Sequence, residues 1–318
     1  MIRRIIATAL AALAALALPA LAAWPERPIK VYIGYAPGGS TDVVARLLAP
    51  KLGEKLGQPI VIENKPGAAG DLAAELMLQT PADGYTLMMS TVALHAINPG
   101  LYKQKFDPVT DFTPVAFVCS YPMIMIASTQ TSFRTIDELK ALAAKQPTFY
   151  SSSGVGSPGH LAGELLVKDT KANLTHVPYK GGAPSTLAIV SGDAQVNFAT
   201  LPAVVPQIRA GKVRAIGLAS DQRNPAVPDV PTMEELGLKD FQVGTWSGLV
   251  GPKGIPADVV QKINQAVADT VNDPEVKKRL LSEGSEIRIM SPAEFGQFIR
   301  KENTRWVKVV KDAGIKAN

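Results

Sequence analysis

The chain has 318 residues, a length that favours two lobes or domains over a single one. Hydrophobic residues make up 46% of the chain and charged residues only 19%, in both signs, which excludes a disordered protein. The formal net charge is +5 without any run of Lys or Arg of the kind that follows nucleic acid, so a nucleic-acid partner is excluded.

The first residues have the pattern of a secretory leader. Arg3 and Arg4 are followed by the apolar run 5–18 and then by the small-residue sequence Ala-Leu-Ala at 20–22. This order predicts a signal peptide over residues 1–22, cleaved at its end, and therefore a periplasmic protein. An uncleaved membrane anchor is the alternative, which the shortness of the apolar run disfavours.

After the leader, β-branched runs alternate with segments of helical periodicity. Strands are predicted at 29–35, 59–63, 85–90, 148–152, 175–179, 195–199, 213–220 and 241–250. Helices are predicted at 41–56, 71–79, 136–144, 158–168, 184–191, 256–271, 274–282 and 292–313. This alternation predicts an α/β fold with mainly parallel sheets built from right-handed βαβ units.

Two apolar segments, 115–127 and 244–250, have the length and composition to pass from one lobe to another. If they do, the first lobe contains residues 23–121 and 246–318, and the second lobe, residues 122–245, is inserted between them. The predicted architecture is two sheets flanked by helices with a cleft between them.

Three loops share one layout, in which a strand leads through a Gly/Ser-rich turn into the start of a helix. They lie at 35–42, 151–160 and 179–185. Open α/β folds bind ligands at this edge of the sheet, and the free N–H groups and dipole of a helix start favour an anion there. The alternative is ordinary N-capping of the three helices. The candidate caps are Ser40, Thr41 and Ser157.

The sequence lacks the patterns on which catalysis or cofactor binding would depend. It has neither the P-loop nor the dinucleotide-binding glycine pattern, and no G-x-S-x-G elbow. The histidines His95, His160 and His176 do not have metal-ligand spacing. Cys119, the single cysteine, lies in an apolar stretch and is predicted to be a buried, inert thiol. We therefore expect no enzyme activity, no cofactor and no metal.

Two side chains near the loops have open roles. His160 lies near a helix start, where it either donates to an anion or serves as a satisfied structural residue. Asp42 either bonds backbone N–H groups in the first helical turn or receives a ligand ammonium. The structural role is favoured for both.

Short motifs spread along the chain resemble those of one family. They include Y-A-P-G-G-S-T-D at 35–42 and G-S-P-G-H-L at 156–161. The others lie at 56–64, 81–87, 98–102, 106–108, 176–184, 211–215, 230–232, 246–252 and 305–310. In this order and from residue 24 almost to the end, the chain resembles the tripartite tricarboxylate transporter receptors, also called Bug solute-binding proteins.

The resemblance implies a two-lobed, type II periplasmic-binding-protein fold and a small carboxylate ligand, which is an organic acid, an acidic amino acid or an aromatic acid, held largely by backbone N–H groups and ordered water. It also implies delivery to a membrane transporter of the tripartite tricarboxylate type; a sensor subunit that presents the ligand to a signalling partner is the alternative. We expect a monomer. The ligand contacts predicted by position are Tyr35, Ala36, Gly38, Gly39, Ser40 and Asp42, facing Ser153, Gly154, Gly156, Ser157 and His160, with Lys180, Gly181, Ala183 and Thr200 beside them.

Overall fold

The structure, a computed structural model, describes residues 24–315. The predicted signal peptide, residues 1–22, lies outside these residues. Between residues 24 and 315, no helix is both long and apolar enough to cross a membrane.

The described part of the chain forms ten strands and ten α-helices. The strands are β1 (Ile29–Ile33), β2 (Ile60–Asn64), β3 (Thr86–Thr91), β4 (Phe112–Ser128), β5 (Thr148–Ser152), β6 (Leu174–Pro178), β7 (Val196–Thr200), β8 (Val213–Leu218), β9 (Gly244–Pro252) and β10 (Glu286–Ile287). The helices are α1 (Ser40–Leu56), α2 (Asp71–Leu78), α3 (Asn98–Leu101), α4 (Ile136–Ala143), α5 (Pro158–Thr170), α6 (Gly182–Ser191), α7 (Leu201–Arg209), α8 (Ala257–Val271), α9 (Pro274–Ser282) and α10 (Pro292–Asp312).

The strands form two sheets that share β4. The first has the order β2-β1-β3-β9-β4, with β10 on the far side of β4, and the second has the order β6-β5-β7-β4, with β8 on the far side of β4. The pairs among β2, β1 and β3 and among β6, β5 and β7 are parallel, whereas the pairs that involve β9 or β4 are antiparallel. The α/β prediction is confirmed, and each sheet is mixed rather than parallel throughout.

Strand β4 passes from one sheet to the other. Its residues 112–122 pair with β9, and its residues 123–127 pair with β7. The returning chain runs beside this point, since the Met123 N–H donates to the Val243 carbonyl and the Met123 carbonyl accepts from Ala219. The lobe boundaries given above remain a prediction, and the change of partner along β4 supports them.

Two of the longer elements differ from the prediction: β4 is a 17-residue strand, of which the sequence predicts only an apolar segment between lobes, 115–127, and α7 lies between residues 200 and 213, where the sequence predicts no helix. Two prolines, Pro202 and Pro206, make this stretch resemble a loop. Pro202 lies in the first turn, where the missing N–H would have had no partner in any case. The apolar residues Leu201, Val204 and Val205 are buried against the second sheet, and this packing offsets the weak helix propensity.

Cys119 lies fully buried in β4, and this position leads to a first prediction. Burial raises the pKa of the thiol to about 12, with a smaller opposing effect from Ser285. We expect the native protein to resist alkylation by iodoacetamide at pH 8, because the thiolate is the reacting form. The protein unfolded in urea should take up one equivalent, as measured by intact-mass spectrometry. Rapid alkylation of the folded protein would contradict the buried position.

Candidate ligand-binding site

A cavity lies between the two sheets, where α1, α5, α6 and α7 begin. Each of these helices follows the carboxyl end of a strand, β1, β5, β6 or β7, as the predicted layout requires. The empty space at the cavity amounts to about 530 Å³, including its open mouth. The lining residues are Tyr35, Gly39, Ser40, Thr41, Thr91, Tyr121, Met123, Ser153, Pro158, Gly182, Ser185, Thr186, Phe198, Ala199, Thr200, Ala203 and Thr245.

Three of the four helices present uncapped N-termini to the cavity. The N-cap residues Gly39 of α1, Gly181 of α6 and Thr200 of α7 make no side-chain cap hydrogen bond. Helix α5 differs, because the Ser157 hydroxyl accepts a hydrogen bond from the His160 N–H. The first N–H groups of a helix have no partner within the helix, and its dipole places partial positive charge there. The cavity therefore offers several N–H donors to an anion.

Thr186 adds a hydroxyl that has no partner within the protein. Its side chain is only 4% exposed, and Oγ1 forms no hydrogen bond. A buried hydroxyl without a partner costs about 1–3 kcal/mol. Neighbouring hydroxyls are already engaged, since Ser185 donates to the Gly182 carbonyl and Tyr35 to the Ala69 carbonyl. Thr186 is thus a polar group on the cavity wall that a ligand can satisfy.

Five of the residues predicted from the sequence line this cavity: Tyr35, Gly39, Ser40, Ser153 and Thr200. The structure places them on both sides of the cavity, as predicted. Whether they contact a ligand stays a prediction.

Another group of predicted residues lies where the first loop meets the third. The Ala36 N–H donates to the Lys180 carbonyl at 3.0 Å. A Cβ on Gly181 would lie 2.9 Å from the Ala36 nitrogen, and one on Gly38 would lie 3.2 Å from the Ala183 Cβ. These residues lie outside the cavity lining. They hold together the two halves of the molecule, by which we mean the parts built around the first and the second sheet.

Asp42 is engaged by groups of its own half and does not line the cavity. Its carboxylate accepts hydrogen bonds from the Gly38 N–H at 2.9 Å, the Arg46 Nε at 3.0 Å and the Asn64 Nδ2 at 2.9 Å. Burial alone would raise the pKa of Asp42, but the hydrogen bonds from Arg46, Gly38 and Asn64 outweigh it and lower the pKa. The structural role favoured by the sequence matches these contacts.

The remaining predicted residues of the second loop surround a buried histidine. His160 is 1% exposed, stacks on His176 with ring centroids 4.3 Å apart, and accepts the Gly156 N–H at Nδ1. Burial lowers the pKa of His160, with a smaller opposing effect from Glu164. Gly154 accepts a hydrogen bond from Ser152 at its carbonyl. Like Ser157, these residues shape the loop behind the cavity rather than line it.

Many residues of the cavity wall are not among the ligand contacts predicted from the sequence. Tyr121 and Met123 come from the middle of β4, Thr245 comes from β9, and Phe198 and Ala199 come from β7. Strand interiors carry no local motif that indicates a site, so no sequence signal separated these residues from the core. Thr41 and Ser185 also line the cavity and lie within the loops 35–42 and 179–185, so the strand–turn–helix pattern does indicate these two hydroxyls. Among the described residues, no cluster of His, Cys, Asp and Glu could hold a metal ion.

Comparisons with known proteins agree with this geometry. Residues 44–315 match the family model described as the tripartite tricarboxylate transporter family receptor. The chain is 32% identical to the protein BugT of Bordetella pertussis, over 92% of this chain and 91% of BugT. It is also similar to the structure of an R. palustris protein with adipate, with 34% identity and a TM-score of 0.88, over 92% of this chain and 100% of the other. MatC from Rhodopseudomonas palustris, whose structure contains bound malate, is 35% identical in sequence and has a TM-score of 0.86, over 90% of this chain and 100% of MatC.

The match covers most of the chain in sequence and in structure, and a further neighbour of 33% identity and TM-score 0.88 is the periplasmic binding protein BugD. The predictions of the family and of a receptor rather than an enzyme are therefore confirmed. The chain belongs to the tripartite tricarboxylate transporter receptor family of periplasmic solute-binding proteins.

Proposed function

We propose that the protein captures a small carboxylate in the cavity between its two sheets and delivers it to a membrane transporter of the tripartite tricarboxylate type. The observation that carries this proposal is the convergence of three uncapped helix N-termini, those of α1, α6 and α7, on one cavity. Backbone N–H groups at such positions bind carboxylates without a basic side chain. Two structural neighbours contain dicarboxylates, adipate and malate, which are ligands of this chemistry.

In this proposal the residues of the two sides have different tasks. Ser40 and the first turn of α1 bind the ligand from the first sheet, and Ser153, Thr186 and Thr200 bind it from the second. The predicted residues at the loop–loop contact, such as Gly38 and Lys180, bring the two sides together. The leader of residues 1–22 directs export and is removed. The family description names a transporter, which favours delivery to a transporter over presentation to a sensor.

The binding of an anion is tested by comparing acids with their amides. Adipate, malate and succinate are added to the purified protein, and the unfolding temperature is compared with that in adipamide, malamide and succinamide. At 100 times its dissociation constant, a ligand raises the free energy of unfolding by about 2.7 kcal/mol. We expect at least one acid to stabilise the protein and its amide to have little effect. Equal stabilisation by an acid and its amide would contradict the anion site.

The role of the Thr186 hydroxyl is tested by Thr186→Val, which keeps the shape of the side chain. A hydrogen bond to a charged group is worth about 1.5–3 kcal/mol, so we expect calorimetry to show binding of the acid that stabilises best to be weaker by roughly 10- to 100-fold. The control is Thr175→Val, because Thr175 is exposed on β6, away from the cavity. Equal affinities of the two variants would remove Thr186 from the site.

A further inference from the structure

A groove lies beside the point where β4 changes from the first sheet to the second. It has two adjoining parts, with empty space of about 790 Å³ and 1100 Å³ including the open mouths, and both parts are lined by Pro122, Ser220, Asp221 and Glu286. None of these four residues lines the ligand cavity. Ser220 and Asp221 follow β8 of the second sheet, whereas Glu286 belongs to β10 of the first. Both halves of the molecule therefore contribute to the groove.

Two carboxylates of this groove have no cation as a partner. Within residues 24–315, neither Asp221 nor Glu286 forms an ion pair, and the one hydrogen bond of Glu286 is a long contact of 3.5 Å from the Ser120 hydroxyl. Two like charges that line one space repel each other, and a cation between them removes that repulsion. Each half of the molecule thus presents one unpaired negative charge to the same space.

The two arginines that line the groove have partners of their own. Arg223 donates from Nε and Nη2 to the Glu235 carboxylate, at 3.1 Å and 2.8 Å. The Arg305 guanidinium lies 4.8 Å from the centre of the Trp306 ring, and its Nη1 is 3.9 Å from Glu302. Neither arginine neutralises the two unpaired carboxylates. The stacking on Trp306 also shows that this wall of the groove accepts an organic cation.

A buried hydroxyl in the same groove is an independent sign of a ligand. Ser285 lines the groove beside Glu286, is only 4% exposed, and its Oγ forms no hydrogen bond in the described part of the protein. The Cys119 thiol is close enough for Ser285 to affect its pKa, but a thiol is a weak hydrogen-bond partner. Buried hydroxyls in proteins are nearly always satisfied. The Ser285 oxygen can accept a hydrogen bond from an ammonium or guanidinium group.

The remaining walls favour an organic cation over a metal ion. Phe298 and Trp306 line one part of the groove, and Pro225 and Leu281 line the other, where Leu281 is 48% exposed. Among the described residues, no group of three or more His, Cys, Asp and Glu side chains could hold a metal ion. Aromatic and aliphatic walls stabilise the carbon skeleton of an amine, whereas a hydrated metal ion gains nothing from them.

We infer that this groove binds a small organic cation, an amine or guanidine on an apolar skeleton, between Asp221 of one half and Glu286 of the other. The site is separate from the carboxylate site of the proposed function and takes a ligand of opposite charge. The inference therefore does not depend on which acid, if any, occupies the cavity.

Binding is tested with cadaverine and agmatine, in phosphate buffer without other amines, and with 1,5-pentanediol as the neutral counterpart of cadaverine. The readout is the indole N–H signal of each of the three tryptophans in proton–nitrogen correlation spectra. We expect the amines to shift the signals of Trp246 and Trp306, which line the groove, and to leave the signal of Trp24 in place. Equal shifts with pentanediol, or no shift with either amine, would overturn the inference.

The two carboxylates are tested by the double variant Asp221→Asn, Glu286→Gln. The matched control is Asp169→Asn, Asp258→Asn, which loses the same charge outside the groove; all four side chains are exposed, so both proteins should fold. We expect the dissociation constant of cadaverine to rise at least about tenfold in the first variant and less than about twofold in the control. Equal affinities in the two variants would overturn the inference. Tighter binding of N-acetyl-lysine methylamide than of cadaverine, by about tenfold or more, would assign the groove to a lysine side chain of another protein instead.

Discussion

Replacing Gly156 by alanine is expected to abolish tight ligand binding while the protein stays folded. A Cβ at this position would lie 2.1 Å from the Asn98 Oδ1 on the other half of the molecule. Asn98 cannot turn away easily, because its Nδ2 donates to Asp71 at 2.6 Å and to the Ala68 carbonyl at 3.1 Å. The two halves would then be held apart at this contact. We call the arrangement in which the two halves are in contact around the cavity the closed state, and we take it to be the state that binds the ligand. If it falls to about 1% of the population, the measured affinity falls about 100-fold.

The measurement is calorimetry with the acid that stabilises the wild type best, together with small-angle scattering in its presence. Alanine at Gly156 also lowers the free energy of unfolding, because φ is 80° at this position and L-residues disfavour positive φ. The control is therefore Gly211→Ala, where φ is 65° and no atom lies within 4 Å of the added Cβ. The control should lose some stability and keep its affinity. Removing the obstacle with Asn98→Ala in the Gly156→Ala protein should restore binding. Full affinity in Gly156→Ala itself would show that the contact with Asn98 plays no part in closure.

Acid is expected to destabilise the protein through buried histidines, one of which is His95. Its side chain is fully buried, stacks on Trp246 and packs edge-on against Phe112, and its Nδ1 hydrogen bonds with the Pro108 carbonyl. Burial lowers the pKa of His95 from 6.5 to about 4, and the Pro108 carbonyl opposes this shift to a smaller degree. Between these values the unfolded chain binds the proton and the folded protein does not. The contribution of His95 to the free energy of unfolding is therefore present above pH 6.5 and is lost as the pH falls from 6.5 towards 4.

The expected size follows from the same pKa. Between pH 7 and pH 5 the His95 contribution to the free energy of unfolding falls by about 2 kcal/mol. Urea unfolding at the two pH values is compared for the wild type and His95→Gln. The variant should be less stable at pH 7, because it loses packing around the ring, but its decline on acidification should be smaller by that amount. Equal declines in the two proteins would mean that folded His95 takes up its proton as readily as the unfolded chain does.

The elements of this protein could largely be predicted from the sequence, and the composition of its site could not. The three Gly/Ser-rich loops were located correctly, because a strand, a glycine turn and a helix start leave a local pattern. The loops 35–42 and 179–185 nevertheless divide their tasks in a way that spacing does not reveal. Gly39 lines the cavity, whereas a Cβ on Gly181 would lie 2.9 Å from the Ala36 backbone nitrogen and one on Gly38 would lie 3.2 Å from the Ala183 Cβ, both at the contact between the two loops. A glycine that lines the cavity and a glycine that a neighbouring loop requires look the same in sequence.

Residues distant in the chain supply the rest of the cavity. Thr186 is one hydroxyl among many in the sequence, and only its burial without a partner marks it as a group for a ligand. Tyr121 and Thr245 reach the cavity because β4 and β9 are paired in antiparallel register beside the point where β4 changes sheets. That register depends on long-range packing, which no local pattern encodes.

By itself the sequence determined the leader pattern, the alternation of strands and helices and the motifs of the family, because each depends on neighbours within a few residues. The tertiary structure alone decided which side chains line the cavity, that the Asp42 carboxylate pairs with Arg46, and that Gly156 lies against Asn98. These features depend on which distant surfaces come into contact when the two sheets pack around β4. Contact of this kind is a property of the folded chain, since it is set by the summed packing of both halves.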